Sequence, residues 1–292
     1  MELRVLRYFL TVAREENITR ASIILNITQP TLSRQLIQLE EELGTKLFER
    51  GKGRIRLTNQ GMLLRRRAEE LLELADKTEH EFKTENTIMS GEIFIGSGEI
   101  DSFHYLADIM TDFSIRYPQV KYHLFSGNAD DIKEKLNHGL VDIALLTEPV
   151  SIENYEFLRL PEKQRWGVLV RKSDPLAQKE YVVADDLLHK PLIITKRAIV
   201  QNEIENWFQG NFDDLNVIAQ YNLIYNAAIL VEAGLGYAIT IDHLIKDSEE
   251  SLTCFKPLYP SLETGSVLVW KKHQVFSPAA TKFIQTIKAS LT

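Results

Sequence analysis

Leu32, Leu36 and Leu39 lie four and three residues apart in "ITQPTLSRQLIQL", and most of what separates them is polar. That spacing predicts a helix with one narrow apolar stripe. Pro30 falls in its first turn, where a missing N–H costs little, and Thr28 stands where a cap belongs. Gln29, Thr31, Ser33, Arg34, Gln35 and Gln38 are then left pointing outward. Just ahead, "ITRASIILN" reads as a shorter helix capped by Thr19, with Ala21, Ile24 and Leu25 as its apolar face. Asn26 and Ile27 make a tight turn between the two. Leu3, Leu6, Phe9, Leu10 and Ala13 mark a further amphipathic helix upstream. Two short helices joined by a tight turn, the second polar on its outer side, form the helix-turn-helix pattern. Such side chains suit a major groove: Gln pairs with adenine, Arg with guanine, and Ser or Thr with either base or phosphate. A solvated helix face has the same composition, and composition alone leaves both readings open.

Charge adds a second line of argument. The net charge is −7, but residues 1–67 hold 13 Lys/Arg against 7 Asp/Glu, a balance of +6, and the remaining 225 residues sum to −13. A basic end on an acidic body points to a polyanionic partner for that end. After the polar helix, Leu39, Leu43, Leu47 and Phe48 continue the core and Gly44 ends the helix. "ERGKGRIRLT" then alternates around Gly51 and Gly53 like a small hairpin, lined by Arg50, Lys52, Arg54 and Arg56. A basic hairpin beside a recognition helix is a wing suited to phosphate or minor-groove contact.

With "LRYFLTVARE", "ITRAS", "ITQPTLSRQLIQLEEELGTKLFER" and "RLTNQG" together, residues 3–61 resemble the winged helix-turn-helix of LysR-type transcriptional regulators, and the resemblance continues more loosely to the C-terminus. Two positions depart from the family's habit: Ala21-Ser22 where paired alanines are usual, and Gln60 where alanine is usual. The resemblance implies that Gln29, Pro30, Thr31, Ser33 and Arg34 lie at or near the bases, and that Arg50, Arg54 and Arg56 hold the backbone. It implies paired subunits on an interrupted dyad of double-stranded DNA, with RNA polymerase as a further candidate partner.

"NQGMLLRRRAEELLELADKTEHEFKTEN" reads as one long helix. Leu64, Ala68, Leu71, Ala75, Thr78 and Phe82 alternate by four and three, the seam of a coiled coil. A helix this exposed is marginal alone, so the seam is expected to join a second copy as a homodimer or homotetramer. Packing against its own domain is the competing explanation.

From Gly91 strands and helices alternate, as βαβ units on a mostly parallel sheet do. Strands are expected in "GEIFIGSGEI", "KYHLFSG", "VDIALLTE", "RWGVLVRKSDPLA", "KPLIIT", "YAIT" and "SVLVWKK". Helices are expected in "YLADIMTDFSIRYPQV", "ADDIKEKLNHGL", "NEIENWFQGNF", "NAAILVEAGLG" and "SPAATKFIQTIKASL". The resemblance implies an α/β body of two lobes, like the periplasmic-binding-protein fold, with a small-molecule effector between them. The expected divisions are residues 1–58, a linker helix 59–88 and an effector domain 89–292, with lobe I at about 89–160 and 266–292 and lobe II at about 161–265. The chain is expected to cross between lobes near Leu160–Gln164 and Glu263–Ser266. Ligands in open α/β sheets bind beyond the carboxyl ends of strands. This nominates Ser97, Gly98, Glu99, Ile100, Asp101, Ser102, Ser126, Gly127, Thr147, Thr195, Lys196 and Thr240. Free helix N-termini there favour carboxylates. Glu99 and Asp101 oppose a small anion and suit an amino-bearing effector, and Arg197 is a further candidate for an anion.

Other functions find little support. "GSG" at 96–98 and "GLG" at 234–236 complete no dinucleotide fingerprint. No nucleophile elbow or phosphate loop is present, and the seven histidines have no metal-ligand spacing. Cys254 is the single cysteine, so neither an intrachain disulfide nor a multi-cysteine metal site is available. No cofactor or metal is expected. No apolar run reaches the ~20 residues of a membrane span, and the first residues do not resemble a secretory signal. The expectation is a cytoplasmic, non-enzymatic regulator. The alternatives are an enzyme or a solute-binding protein on the same two-lobed body.

Overall fold

A computed structural model describes residues 1–50, 55–82, 89–210, 215–245, 248 and 250–291. The chain divides into two compact units, residues 1–83 and 84–292.

In the first unit, α1 (Leu3–Glu15) buries Val5, Leu6, Phe9 and Val12, so Leu3 is exposed and Leu10 and Ala13 only border the core. α2 (Ile18–Ile24) is capped not by Thr19 but by Asn17, whose side chain accepts from the Arg20 N–H at 3.0 Å. It buries Ala21 and Ser22, while Ile24 faces outward. Ser22 stands where the family favours a second alanine, and it is satisfied by donating to the Thr19 carbonyl. Asn26 takes a left-handed conformation (φ 52°) and turns the chain into α3 (Gln29–Glu42). Leu32, Leu36 and Leu39 are buried as the spacing requires. Gly44 (φ 65°) lies just beyond the helix end, a conformation glycine adopts without cost.

β1 (Phe48–Arg50) and β2 (Ile55–Leu57) pair antiparallel, with Glu49 opposite Arg56. Buried Glu40 ties the end of α3 to this hairpin. One carboxylate oxygen accepts from the N–H groups of Leu47 (2.8 Å) and Phe48 (3.2 Å), and the other meets the Lys46 ammonium at 2.7 Å. Burial alone would raise the Glu40 pKa; Lys46 and the two backbone donors outweigh it and hold the carboxyl below its usual range.

The long helix α4 (Asn59–Phe82) corrects the expected seam. Ala68 is buried in the core of the first unit beside Leu72 and is closed to a partner, and Leu64 packs half-buried against the same core. Leu71 is 41% exposed, and Leu63 and Leu74 are exposed with it. Ala75 is half-buried, and the side chain of Phe82 lies outside the described residues. The reason lies in the doublets Leu63-Leu64 and Leu71-Leu72: adjacent residues sit about 100° apart on a helix, so each doublet gives one leucine inward and one outward.

In the second unit, β3 (Ser90–Ser97), α5 (Phe103–Arg116), β4 (Gln119–Ser126), α6 (Ala129–Asn137) and β5 (Ile143–Thr147) build a parallel β4-β3-β5 sheet. β6 (Tyr155–Arg171) then runs 17 residues, starting well before the strand expected from Arg165. β7 (Leu192–Thr195), α7 (Ala198–Phe208), β8 (Val217–Tyr221), α8 (Ile224–Glu232) and β9 (Tyr237–Ile241) form a second parallel group ordered β8-β7-β9. β10 (Thr253–Pro257) flanks β6, β11 (Glu263–Lys271) returns, and α9 (Pro278–Ser290) closes the chain. β8 and β10 are additional to the expected strands. β11 pairs antiparallel with residues 155–165 of β6, with an irregularity between Gly265 and Val267 opposite residues 160–162. The first half of β6 joins β11 beside β5, and the second half pairs with β9. Two strands therefore carry the chain between the lobes.

Candidate nucleic-acid interface and effector cavity

α3 presents Gln29, Pro30, Arg34 and Gln38 fully exposed, with Thr31, Ser33 and Gln35 half-buried along its flanks. Thr28 takes the extended conformation of a cap, but its hydroxyl pairs with that of Thr31 (2.8 Å) and not with a backbone N–H. Gln38 reaches Glu42 at 3.4 Å, and with Gln35 it borders a hollow beside Met1 and Arg4. Among the described residues Arg34 makes no hydrogen bond or ion pair, so its guanidinium is available to an external acceptor. On the hairpin, Arg56 is exposed; the side chain of Arg50 and all of Arg54 lie outside the described residues.

In the second unit, a cleft of about 620 Å³ including its open mouth lies where the two strand groups meet. It draws together Gly98, Glu99, Ile100, Gly127, Thr147, Thr195 and Thr240 of the nominated residues. Five others are elsewhere. Ser97 donates to the Gly98 carbonyl at 2.8 Å, and Ser102 pairs with Ser266 at 2.9 Å, so both hydroxyls are occupied. Asp101, Ser126 and Lys196 do not line the cleft, and Ser126 and Lys196 face outward. Free N–H groups at the lobe I helix starts are also overturned. Asn128 caps α6 by accepting from Asp130 (2.9 Å) and Asp131 (3.1 Å), and the first N–H groups of α5 bond to the Ile100 and Asp101 carbonyls.

The structure adds Trp166, Tyr221, Leu223 and Ile224 to the lining, beside Arg197, already a candidate for an anion. Arg197 is the buried member of the Lys196-Arg197 pair, at 7% exposure. Its Nη2 donates to the Pro149 carbonyl at 2.9 Å and its Nη1 to Thr147 at 3.4 Å. Its Nε lies 3.8 Å from Asp130 Oδ2, beyond hydrogen-bond range, and has no hydrogen-bond partner among the described residues. Burial lowers the guanidinium pKa and nearby Asp130 partly restores it, leaving a charge that is far from titrating at neutral pH. Tyr221 donates to the Ile239 carbonyl (2.7 Å), and burial pushes its phenol pKa upward. No signal along the chain separates Arg197 from Lys196: which of the two turns inward depends on how the chain leaves β7.

Among the described residues no cluster of His, Cys, Asp and Glu could hold a metal ion, and no helix is long and apolar enough to cross a membrane. Residues 3–62 match the family described as bacterial regulatory helix-turn-helix protein, lysR family, and residues 88–292 match the LysR substrate binding domain. The chain is 26% identical to the HTH-type transcriptional regulator YybE of Bacillus subtilis, across 98% of both chains. It is 28% identical to the HTH-type transcriptional regulator BudR of Raoultella terrigena, across 94% of this chain and 96% of that one. Full-length CbnR, solved with its target DNA, shares the fold with a TM-score of 0.76 at 20% identity, over 99% of this chain and 100% of that one.

Proposed function

Since this chain belongs to the LysR family of bacterial transcriptional regulators, we propose how its surfaces divide the work of a DNA-binding regulator with an effector-binding domain. α3 enters the major groove with Gln29, Pro30 and Arg34 foremost and Thr31, Ser33 and Gln35 at its flanks. The wing, with Arg50, Arg54 and Arg56, lies against phosphates. The observation that carries this reading is the outer face of α3: a polar, exposed surface with an unpaired arginine on a helix whose three leucines are all buried.

Two copies bind an interrupted dyad, joined along the outward stripe of Leu63, Leu71 and Leu74 on α4. Pairing sets two recognition helices on successive turns of the duplex, about 34 Å apart. The cleft in the second unit takes the effector, which shifts the population between lobe arrangements with a coupling of about 1–3 kcal/mol. Dimers or tetramers act in the cytoplasm, with RNA polymerase as the downstream partner. A gel-shift titration against the DNA upstream of the protein's own gene tests the reading. Phosphate contacts release counterions, so the expected affinity falls steeply and log-linearly with salt. Absence of binding, or binding indifferent to salt, overturns it.

A further inference from the structure

The cleft carries a chemical bias of its own, and the following rests on reading it as the effector site. The helix starts of lobe I are closed by their own caps and turns, as described above. Those of lobe II lack a side-chain cap: α7 follows its N-cap residue Arg197 and α8 its N-cap residue Leu223, both lining the cleft. Uncapped N-terminal N–H groups carry partial positive charge. Arg197, more than nine-tenths buried and part of the lining, adds a full charge and an Nε–H with no hydrogen-bond partner among the described residues. A buried donor without an acceptor is costly, so an anion that accepts from Nε is favoured by more than charge alone.

The rest of the lining limits the anion. Ile100, Leu146, Trp166, Val200 and Ile224 make most of the wall apolar. Among the described residues one guanidinium lines the cleft, Glu99 lies on its lining, and Asp130 approaches Nε. A second negative charge on the ligand would meet these carboxylates. We propose that the effector is a small monocarboxylate with an apolar body, its acid group on Arg197 Nε and its body against Trp166. Asp130, 66% exposed on its side chain, stands 3.8 Å from Nε and gives way when the acid enters.

The full chain is titrated with hexanoate and phenylacetate, and in parallel with hexanamide and phenylacetamide, by calorimetry and by tryptophan emission. A Trp166→Phe variant identifies which of the three tryptophans reports. The expected result is that both acids bind with a Trp166 signal and the amides bind about 10-fold or more weaker, as loss of a charge-assisted hydrogen bond gives. Arg197→Lys, which keeps the charge but not the Nε fork, weakens the acids about 10-fold or more. Because Arg197 also holds Thr147 and Pro149, that variant can fail to fold, so Asp130→Asn is the second arm. It changes an exposed side chain and is expected to tighten the acids several-fold by removing the competing charge. Amides binding as well as acids, with the Trp166 signal intact, overturns the carboxylate assignment and leaves the cleft as the site. Acid binding that moves neither Trp166 emission nor the Asp130→Asn affinity overturns the cleft itself. No binding of either acid at millimolar concentration overturns the proposal.

Discussion

Glu40 offers a sharp quantitative test of how the recognition helix is held. Its buried carboxylate accepts two backbone N–H groups, from Leu47 and Phe48, and pairs with Lys46. Glu40→Ala leaves the buried Leu47 N–H and the part-buried Phe48 N–H without an acceptor. Each such loss costs about 1–3 kcal/mol, and water reaches the more open one, so the expected total is roughly 2–4 kcal/mol. The Lys46 contribution is smaller than its 2.7 Å distance suggests, because the lysine is 72% exposed and screened; it adds about 1 kcal/mol at most. Glu40→Gln keeps an oxygen for the N–H groups and loses only the charge, so it falls between Ala and wild type. The sign with pH follows from the lowered carboxyl pKa. A carboxylate favoured in the folded state stabilises fully above its unfolded pKa, about 4.3, and that stabilisation is lost as pH falls through the folded value. The gap between wild type and Glu40→Gln therefore closes below about pH 4. Amide hydrogen exchange at Leu47 and Phe48 in the full chain, read beside urea unfolding, isolates the first unit. If Glu40→Ala shifts stability by less than about 0.5 kcal/mol, or leaves those amides as protected as before, the three-way clasp has no energetic role.

Three further perturbations follow from the same unit. Arg34→Ala is expected to cost about 1–3 kcal/mol of operator binding and to relax preference at one base pair, measured by competition among single-substituted operators; uniform weakening on every sequence would reduce Arg34 to a phosphate contact. Gly61→Ala places a methyl 2.1 Å from the Leu47 carbonyl oxygen, which is backbone and cannot move aside, so a loss of about 2–4 kcal/mol is expected in thermal unfolding; a near-neutral result refutes the close approach of α4 to the backbone at Leu47. Leu71→Lys is expected to halve the sedimenting mass of a dimer with little change in unfolding temperature, whereas Ala68→Lys, at a fully buried site, unfolds the first unit. An unchanged mass for Leu71→Lys rejects the outward stripe.

The N-terminal unit was readable where one periodicity acted on one face. Leu32, Leu36 and Leu39 must share a side of a helix, and no rearrangement elsewhere changes that. α4 is the helix its periodicity predicts, but the expected seam crosses two stripes, since a four-and-three rhythm runs through either leucine of each doublet. Only the packed first unit decides that Leu64 and Leu72 turn in while Leu63 and Leu71 stay out. Ile24 failed for a related reason: in a seven-residue helix the small Ala21 and Ser22 make the close contacts, and the larger apolar side chain is left outside.

The cleft proposed for the effector is legible in the sequence only as a set of strand ends. Alternating strands and helices fix that Gly98, Gly127, Thr147, Thr195 and Thr240 converge, because parallel strands end on a common edge. They do not fix which side chains there are already spent. Ser97 and Ser102 sit at the right edge and are consumed by neighbours, and the second of these, Ser266, lies 164 residues away. Arg197 meets Thr147 and Pro149 across some 50 residues of chain, after β6 has carried the backbone from one lobe to the other. Its guanidinium belongs to lobe II and its acceptors to lobe I. This buried cation of the cleft is thus also a tie between the lobes. A ligand that recruits its Nε acts on the same side chain that holds the lobes together, so recognition and rearrangement draw on a single residue and not on a relay of contacts.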